Sequence, residues 1–344
     1  MILKASPDNT LPPPRVGIAL GAGSARGLAH LGVLKALNEL DIYPDVVCGT
    51  SMGALVGAVY CTGRGEELAS WVGALTPREI LHYMEIRLRP QGGMAVAGRL
   101  MTYLRSTFGD HTIEELAPAI AAVATDLYRG RETWLQKGPL WDAVRASIAI
   151  PGMLTPVQLQ NRWLVDGALV NPVPVSLCRA MGANVIIAVN VNSDLLGRRD
   201  PTPAVDPRSA EPTPAEAEAL AQEQLAAATA EAGDVATEEA VGPSLFDRIG
   251  ASLRGASAPM LNFWNGDERP ALAPGTFNVM ATALTVMQDR ITRSRLAGEP
   301  PDVVIAPRLG HIGLLEFNRG AEAIDAGYAS VMRMRDVIEH ALDR

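Results

Sequence analysis

The sequence predicts an α/β fold: a mostly parallel central sheet covered by helices on both faces, carrying a flexible insertion. Three observations carry that expectation. Short continuous apolar runs at 16–20, 46–48, 120–124, 163–165 and 185–191 alternate with segments of helical period, as do strands buried on both faces of a parallel sheet. The apolar fraction, 48%, is enough to bury such a sheet and too high for a disordered chain. From 200 to 240 the chain turns Ala-, Glu- and Pro-rich with Arg208 as its one basic residue, the texture of a linker rather than of a core.

In chain order, residues 1–14 read as a Pro-rich leader and 15–344 as one domain interrupted at 198–270. No long apolar core precedes the leader's prolines, so a secretory signal is not expected. No apolar stretch reaches the roughly 20 residues that span a bilayer. The first strand, 16–20, runs into a glycine loop, "GAGSARG", with Gly21, Gly23, Ser24, Arg26 and Gly27, and then into a helical pattern. A dinucleotide turn wants G-x-G-x-x-G. Here the third glycine comes one place late, after Arg26, and no acidic residue closes the second strand. A P-loop is excluded, because no Gly-Lys-Ser/Thr follows.

The second strand ends instead in "GTSMG", Gly49 to Gly53, and "ALVGAVYCTG" continues as a helix. That is the strand–turn–helix setting of a G-x-S-x-G nucleophile elbow. Flanking glycines leave room for the strained turn, and the helix N-terminus favours developing negative charge. Ser51 is equally the residue type of an ordinary helix N-cap. Further on, "RWLVDGALVNPVPV" ends a strand at Asp166, followed by Gly167 and Ala168. An aspartate there can face the same cleft as Ser51, because strand ends of a parallel sheet share one edge. Asp-Gly is also common turn chemistry. Of the five histidines, His30 reads as a packed or capping residue on the helix after the glycine loop. Only His311 and His340 come late enough for a Ser–acid–His order, and His311, in "RLGHIGLL", is the better placed.

Beyond the linker, 243–264 brings back large apolar residues. Leu245, Phe246, Ile249 and Leu253 fall near one helix face, with Met260, Leu261, Phe263 and Trp264 beyond a proline. This stretch is either an interfacial segment or lid, or a buried helix or subunit contact. Globular texture resumes with a helix at 280–296, a late strand at 302–307 and one long amphipathic helix at 320–342.

The net charge of −8 argues against nucleic acid as a partner. Cys48, Cys61 and Cys178 are odd in number and widely spaced, so neither a disulfide framework nor a zinc site is expected. The expected setting is the reduced cytoplasm, with peripheral contact at the inner membrane face left open.

Taken together, the glycine loop with Arg26, the G-T-S-M-G elbow and the later D-G-A resemble the three motifs of the patatin-like phospholipase family, in order. "IPGMLTPV" before Asp166, "NPVPV" after it and the tail "DVVIAPRLGHIGLLEFNRGAEAIDAG" match too. These look most like the bacterial branch related to neuropathy target esterase. The resemblance covers about 16–191 and 276–328. It implies a serine acyl-ester hydrolase with a Ser51–Asp166 dyad, no catalytic histidine, no metal and no cofactor. It implies an oxyanion hole from the N–H groups near Gly21, Gly23 and Ser24, to which Met52 adds a further donor. Arg26 would order the loop or meet an anionic headgroup. The implied substrate is a phospholipid, lysophospholipid or other long-chain acyl ester. Two alternatives stand beside it: an acyltransferase using the same dyad, and a non-catalytic binding protein on the same fold. Peripheral membrane contact, if made through 243–264, is expected to be mainly apolar, since the net charge does not attract anionic lipid.

Overall fold

The computed structural model describes residues 14–85, 92–195 and 276–342. The chain divides into two units, residues 1–197 with 271–344 and residues 198–270; the fold described is that of the first. The leader at 1–13 and the two insertion segments, 200–240 and 243–264, lie outside the described residues.

Among the described residues, eight strands form one sheet in the order β10-β9-β1-β2-β4-β8-β7, with β5 joined to β4. The strands β1 (Val16–Leu20), β2 (Val46–Thr50), β4 (Ala119–Asp126), β9 (Val185–Val189) and β10 (Val303–Ile305) pair in parallel. These hold most of the apolar runs in the sequence, and β1 and β2 are buried at every position. Helices cover both faces, as expected of such runs. On one face Ala19, Cys48, Val123 and Ala188 pack with Leu177 and Cys178 of α7 (Val175–Ala180) and with Leu296 of α8 (Thr276–Gly298). On the other face lies α2 (Met52–Cys61), where a Cβ at Gly57 would meet Val47, Leu20 and Ile120.

Strands β5 (Arg131–Leu135), β7 (Val157–Leu159) and β8 (Arg162–Asp166) run antiparallel to their neighbours. This corrects the reason for bringing Asp166 to Ser51. The two do not share the edge of a parallel sheet. Ala122 and Val123 of β4 pair with both β2 and β5, and Ala124 to Asp126 pair with both β8 and β5. A strand has two edges, so β5 occupies one edge of β4 while β2 and β8 meet end to end on the other. Thr50 stands opposite Val123 and Asp166 opposite Ala124. The two strand ends converge on adjacent residues of one ruler.

Two helices fix the glycine loop's far side. α1 (Ala29–Glu39) follows the loop and packs on α9 (Gly320–Met332). The approach is backbone to backbone: a Cβ at Gly32 would overlap the Ile324 carbonyl oxygen, and one at Gly327 would overlap that of Ala29. The long C-terminal helix expected from the sequence is two helices, α9 and α10 (Arg335–Ala341). The break lies where the Met334 N–H donates to the Val331 carbonyl, three residues back rather than four, which interrupts the α-helical ladder.

Candidate active site

Ser51 follows β2 and precedes α2, with φ 56° and ψ −122°. Positive φ is strained for a residue with a Cβ, and the surroundings impose it. A Cβ at Gly53 would overlap the Leu20 carbonyl, and one at Gly49 would overlap Ala54. Both glycines are therefore required for the turn to seat against β1. The Ser51 N–H donates to the Ser147 hydroxyl at 2.9 Å, and that hydroxyl donates to the Val123 carbonyl at 2.6 Å. Ser147, the last residue of α6 (Leu140–Ser147), is fully buried. It pins the strained turn to β4.

Ser51 stands at the N-cap position of α2, but its side chain makes no capping bond. Its hydroxyl donates instead to Asp166 Oδ2 at 2.6 Å, across 115 positions of sequence. The other carboxylate oxygen of Asp166, Oδ1, accepts the Ala168 N–H at 2.8 Å. Asp166 thus caps its turn and faces Ser51 at once. Its backbone is held from two further sides: its N–H donates to Ala149, and its carbonyl accepts the Thr125 hydroxyl. Asp166 is 3% exposed. Burial disfavours its charge and pushes its carboxyl up to about 6, against the opposing pull of the Ser51 and Ala168 hydrogen bonds.

The glycine loop lies beside this pair, and much of its backbone is hydrogen-bonded. Gly21 N–H donates to the Val189 carbonyl and Ala22 N–H to that of Pro172. Ala25 N–H donates to Leu314 and Arg26 N–H to Gly23. The Gly21 carbonyl accepts His30 Nε2–H at 2.7 Å, and the Ala22 carbonyl accepts Asn192 Nδ2 at 2.9 Å. Among the described residues, the N–H groups of Gly23, Ser24 and Met52 donate to no acceptor. Gly21 is therefore removed from the expected donor set: its N–H is already spent on β9. His30 is fully buried and fastens the loop to α1. Burial pushes its imidazole down to about 4, leaving it neutral at pH 7.

Arg26 is 6% exposed. Burial pushes its guanidinium down to about 10, partly offset by the charge of Asp194. Asp194 in turn accepts the N–H groups of Leu309 and Gly310. Gly27 approaches Met52 so closely that a Cβ there would collide with its side chain. Gly167 is buried against the Val123 carbonyl. His311 is not in the site: it lies on the surface, its Nε2 2.6 Å from Glu322 Oε1.

Ser51, Ser24 and Met52 open onto a cleft of about 880 Å³, part of it open to solvent. Leu55, Leu68, Val72, Ile150 and Met153 are among its apolar walls, with Trp71 and Tyr83. Such a lining suits an aliphatic chain. Among the described residues, no group of three or more His, Cys, Asp or Glu is placed to hold a metal, and no helix is long and apolar enough to cross a membrane.

Sequence reasoning missed Ser147, Asn192 and the loop-fastening role of His30. The one available signal was "AVRASIAIPG", whose serine precedes the Pro-Gly turn, and it carries no motif spacing.

Residues 18–179 match the model of the patatin-like phospholipases. An uncharacterized NTE family protein of Mycobacterium tuberculosis is 34% identical over 345 residues, covering 95% of this chain and 92% of that one. Lysophospholipase nte1 of Emericella nidulans is 33% identical over 186 residues, which is 52% of this chain and 12% of the relative. Patatin-like phospholipase domain-containing protein 6 of Mus musculus is 32% identical over 185 residues, 52% of this chain and 14% of the relative.

Proposed function

Because this chain belongs to the patatin-like phospholipase family, alongside the NTE family proteins, we propose that it is a lipid acyl-ester hydrolase with Ser51 as nucleophile and Asp166 as base. The observation that carries the reading is the 2.6 Å hydrogen bond from the Ser51 hydroxyl to Asp166, at the floor of an apolar cleft.

The geometry supports the following chemistry. Asp166 takes the proton of Ser51 as Oγ attacks the ester carbonyl carbon. The carbonyl oxygen gains negative charge, which the N–H groups of Gly23, Ser24 and Met52 face. Each such donor typically contributes about 3 kcal/mol to lowering the barrier. The tetrahedral intermediate expels the alcohol, which recovers the proton from Asp166 and leaves an acyl-Ser51. Water then gives its proton to Asp166, attacks the acyl carbon and releases the fatty acid, and Ser51 regains its proton. An ordinary aspartate, near 4, is a weak base for this. Held near 6, Asp166 is a stronger base that is still mostly ionised at pH 7. The buried Arg26, facing Asp194, orders the loop in this account rather than meeting a headgroup. The substrate class is a long-chain acyl ester of lipid type, in keeping with the cleft's lining.

Ser51→Ala tests the assignment. It should abolish hydrolysis of p-nitrophenyl butyrate and of a long-chain phospholipid while the circular dichroism spectrum is retained. Turnover at the wild-type rate overturns it.

A further inference from the structure

A second groove shares a wall with the Ser51 cleft. Ile150 and Met153 line both. The second groove, about 710 Å³ and also part open, is completed by Met94, Pro151, Met280, Ala281, Leu284 and Leu314. None of these side chains is charged or can donate a hydrogen bond, so the groove offers nothing to a headgroup and only contact to an aliphatic chain. Its outer wall is α8, which contributes Met280, Ala281 and Leu284, and Met280 is half exposed at the groove's rim.

We infer that this second groove is the binding site for the second acyl chain of a double-chained lipid ester. The inference rests on the proposed hydrolase only for which chain is cut. In a diacyl glycerolipid the two chains branch from adjacent carbons. With the scissile ester at Ser51 and its acyl chain in the first cleft, the other chain crosses the Ile150–Met153 wall and lies against α8. A lysophospholipid has no chain for this groove and forgoes its contacts. The enzyme therefore favours diacyl over single-chain substrates of the same chain length, and Ala281 and Leu284 set that preference.

The test uses two substitutions at half-buried positions of α8: Ala281→Trp, which fills the groove, and Leu284→Asn, which makes its wall polar. Hydrolysis of dioctanoyl phosphatidylcholine and of mono-octanoyl lysophosphatidylcholine is measured below their micelle thresholds. Binding of the matching dialkyl and monoalkyl ether lipids, which cannot be hydrolysed, is measured in parallel by tryptophan fluorescence and by calorimetry. Both variants should lower kcat/KM on the diacyl substrate by about tenfold or more, weaken the dialkyl ether similarly, and leave both single-chain lipids within about twofold. Equal loss on single- and double-chained lipids, or no loss on either, overturns the inference. If the wild type hydrolyses neither ester, the hydrolase reading fails, and the ether-lipid binding alone decides the groove.

Discussion

Ser51 keeps a backbone conformation that costs a non-glycine residue about 1–3 kcal/mol, and Ser147 is the side chain that holds it there. In Ser147→Ala the Ser51 N–H and the Val123 carbonyl each lose their partner within a fully buried site. Each loss costs about 1–3 kcal/mol. The variant should unfold at lower denaturant concentration and lose kcat by about tenfold or more, with KM nearly unchanged, because the acyl cleft is untouched. A wild-type kcat in the folded variant removes Ser147 from the site's support. Asp166 pulls in the opposite sense. Its carboxyl is raised in the folded state to about 6 from 3.8. Between these values the native chain binds more protons than the unfolded one, so stability falls as pH rises through that window and stays lower above it. The penalty at pH 7 is about 3 kcal/mol. Asp166→Asn keeps the shape and removes the charge. It should therefore be more stable than wild type at pH 7, with the gain vanishing below about pH 4, and its activity should fall about 100-fold or more. Wild-type activity should itself fall tenfold per pH unit below about 6, where the base becomes protonated. Denaturant titrations of both proteins at pH 4 and pH 7 check the first sign, and a pH–rate profile checks the second.

At the scale of elements, the site depends on how α9 seats α1. His30 on α1 holds the Gly21 carbonyl, and α1 lies where Gly32 and Gly327 let its backbone meet that of α9. A side chain at Gly327 would have to push the two helices apart. Gly327→Leu should destabilise the fold by about 3 kcal/mol or more, measured by chemical unfolding, although residue 327 is not among those lining the Ser51 cleft. An unchanged midpoint contradicts the close approach. The parallel strands were legible at this scale because β1, β2 and β9 are nearly continuous apolar runs. β8 was legible as a strand but not in its direction. The direction of Arg162–Asp166 is set by its long-range antiparallel pairing with Ala124 to Asp126 of β4, which no local pattern announces, and its hairpin with β7 turns at Gln160 and Asn161, both at positive φ. Neither is the glycine that usually signals such a turn.

At the scale of the whole molecule, the sequence carried the fold class and the family because three motifs occur in a fixed order, each at the end of a strand. It did not carry the supports. The Ser147–Ser51 bond joins residues 96 positions apart and the Asn192–Ala22 bond residues 170 apart. A single buried polar side chain leaves no periodicity in a sequence. The second groove was equally hidden, since its walls come from Met94, from 150–153, from α8 and from Leu314, four segments far apart in the sequence. The expected catalytic pair was named from strand-end settings and motif order, and its distance is a property of β2 and β8 meeting on β4.

The central claim, that Ser51 is the nucleophile and Asp166 its base, is tested most directly by a fluorophosphonate probe followed by peptide mapping, on wild type and Asp166→Asn in parallel. The expected result is one adduct per chain, on the peptide containing Ser51, forming about 100-fold or more slowly in Asp166→Asn. An adduct on any other residue, or labelling of Asp166→Asn at the wild-type rate, contradicts the account.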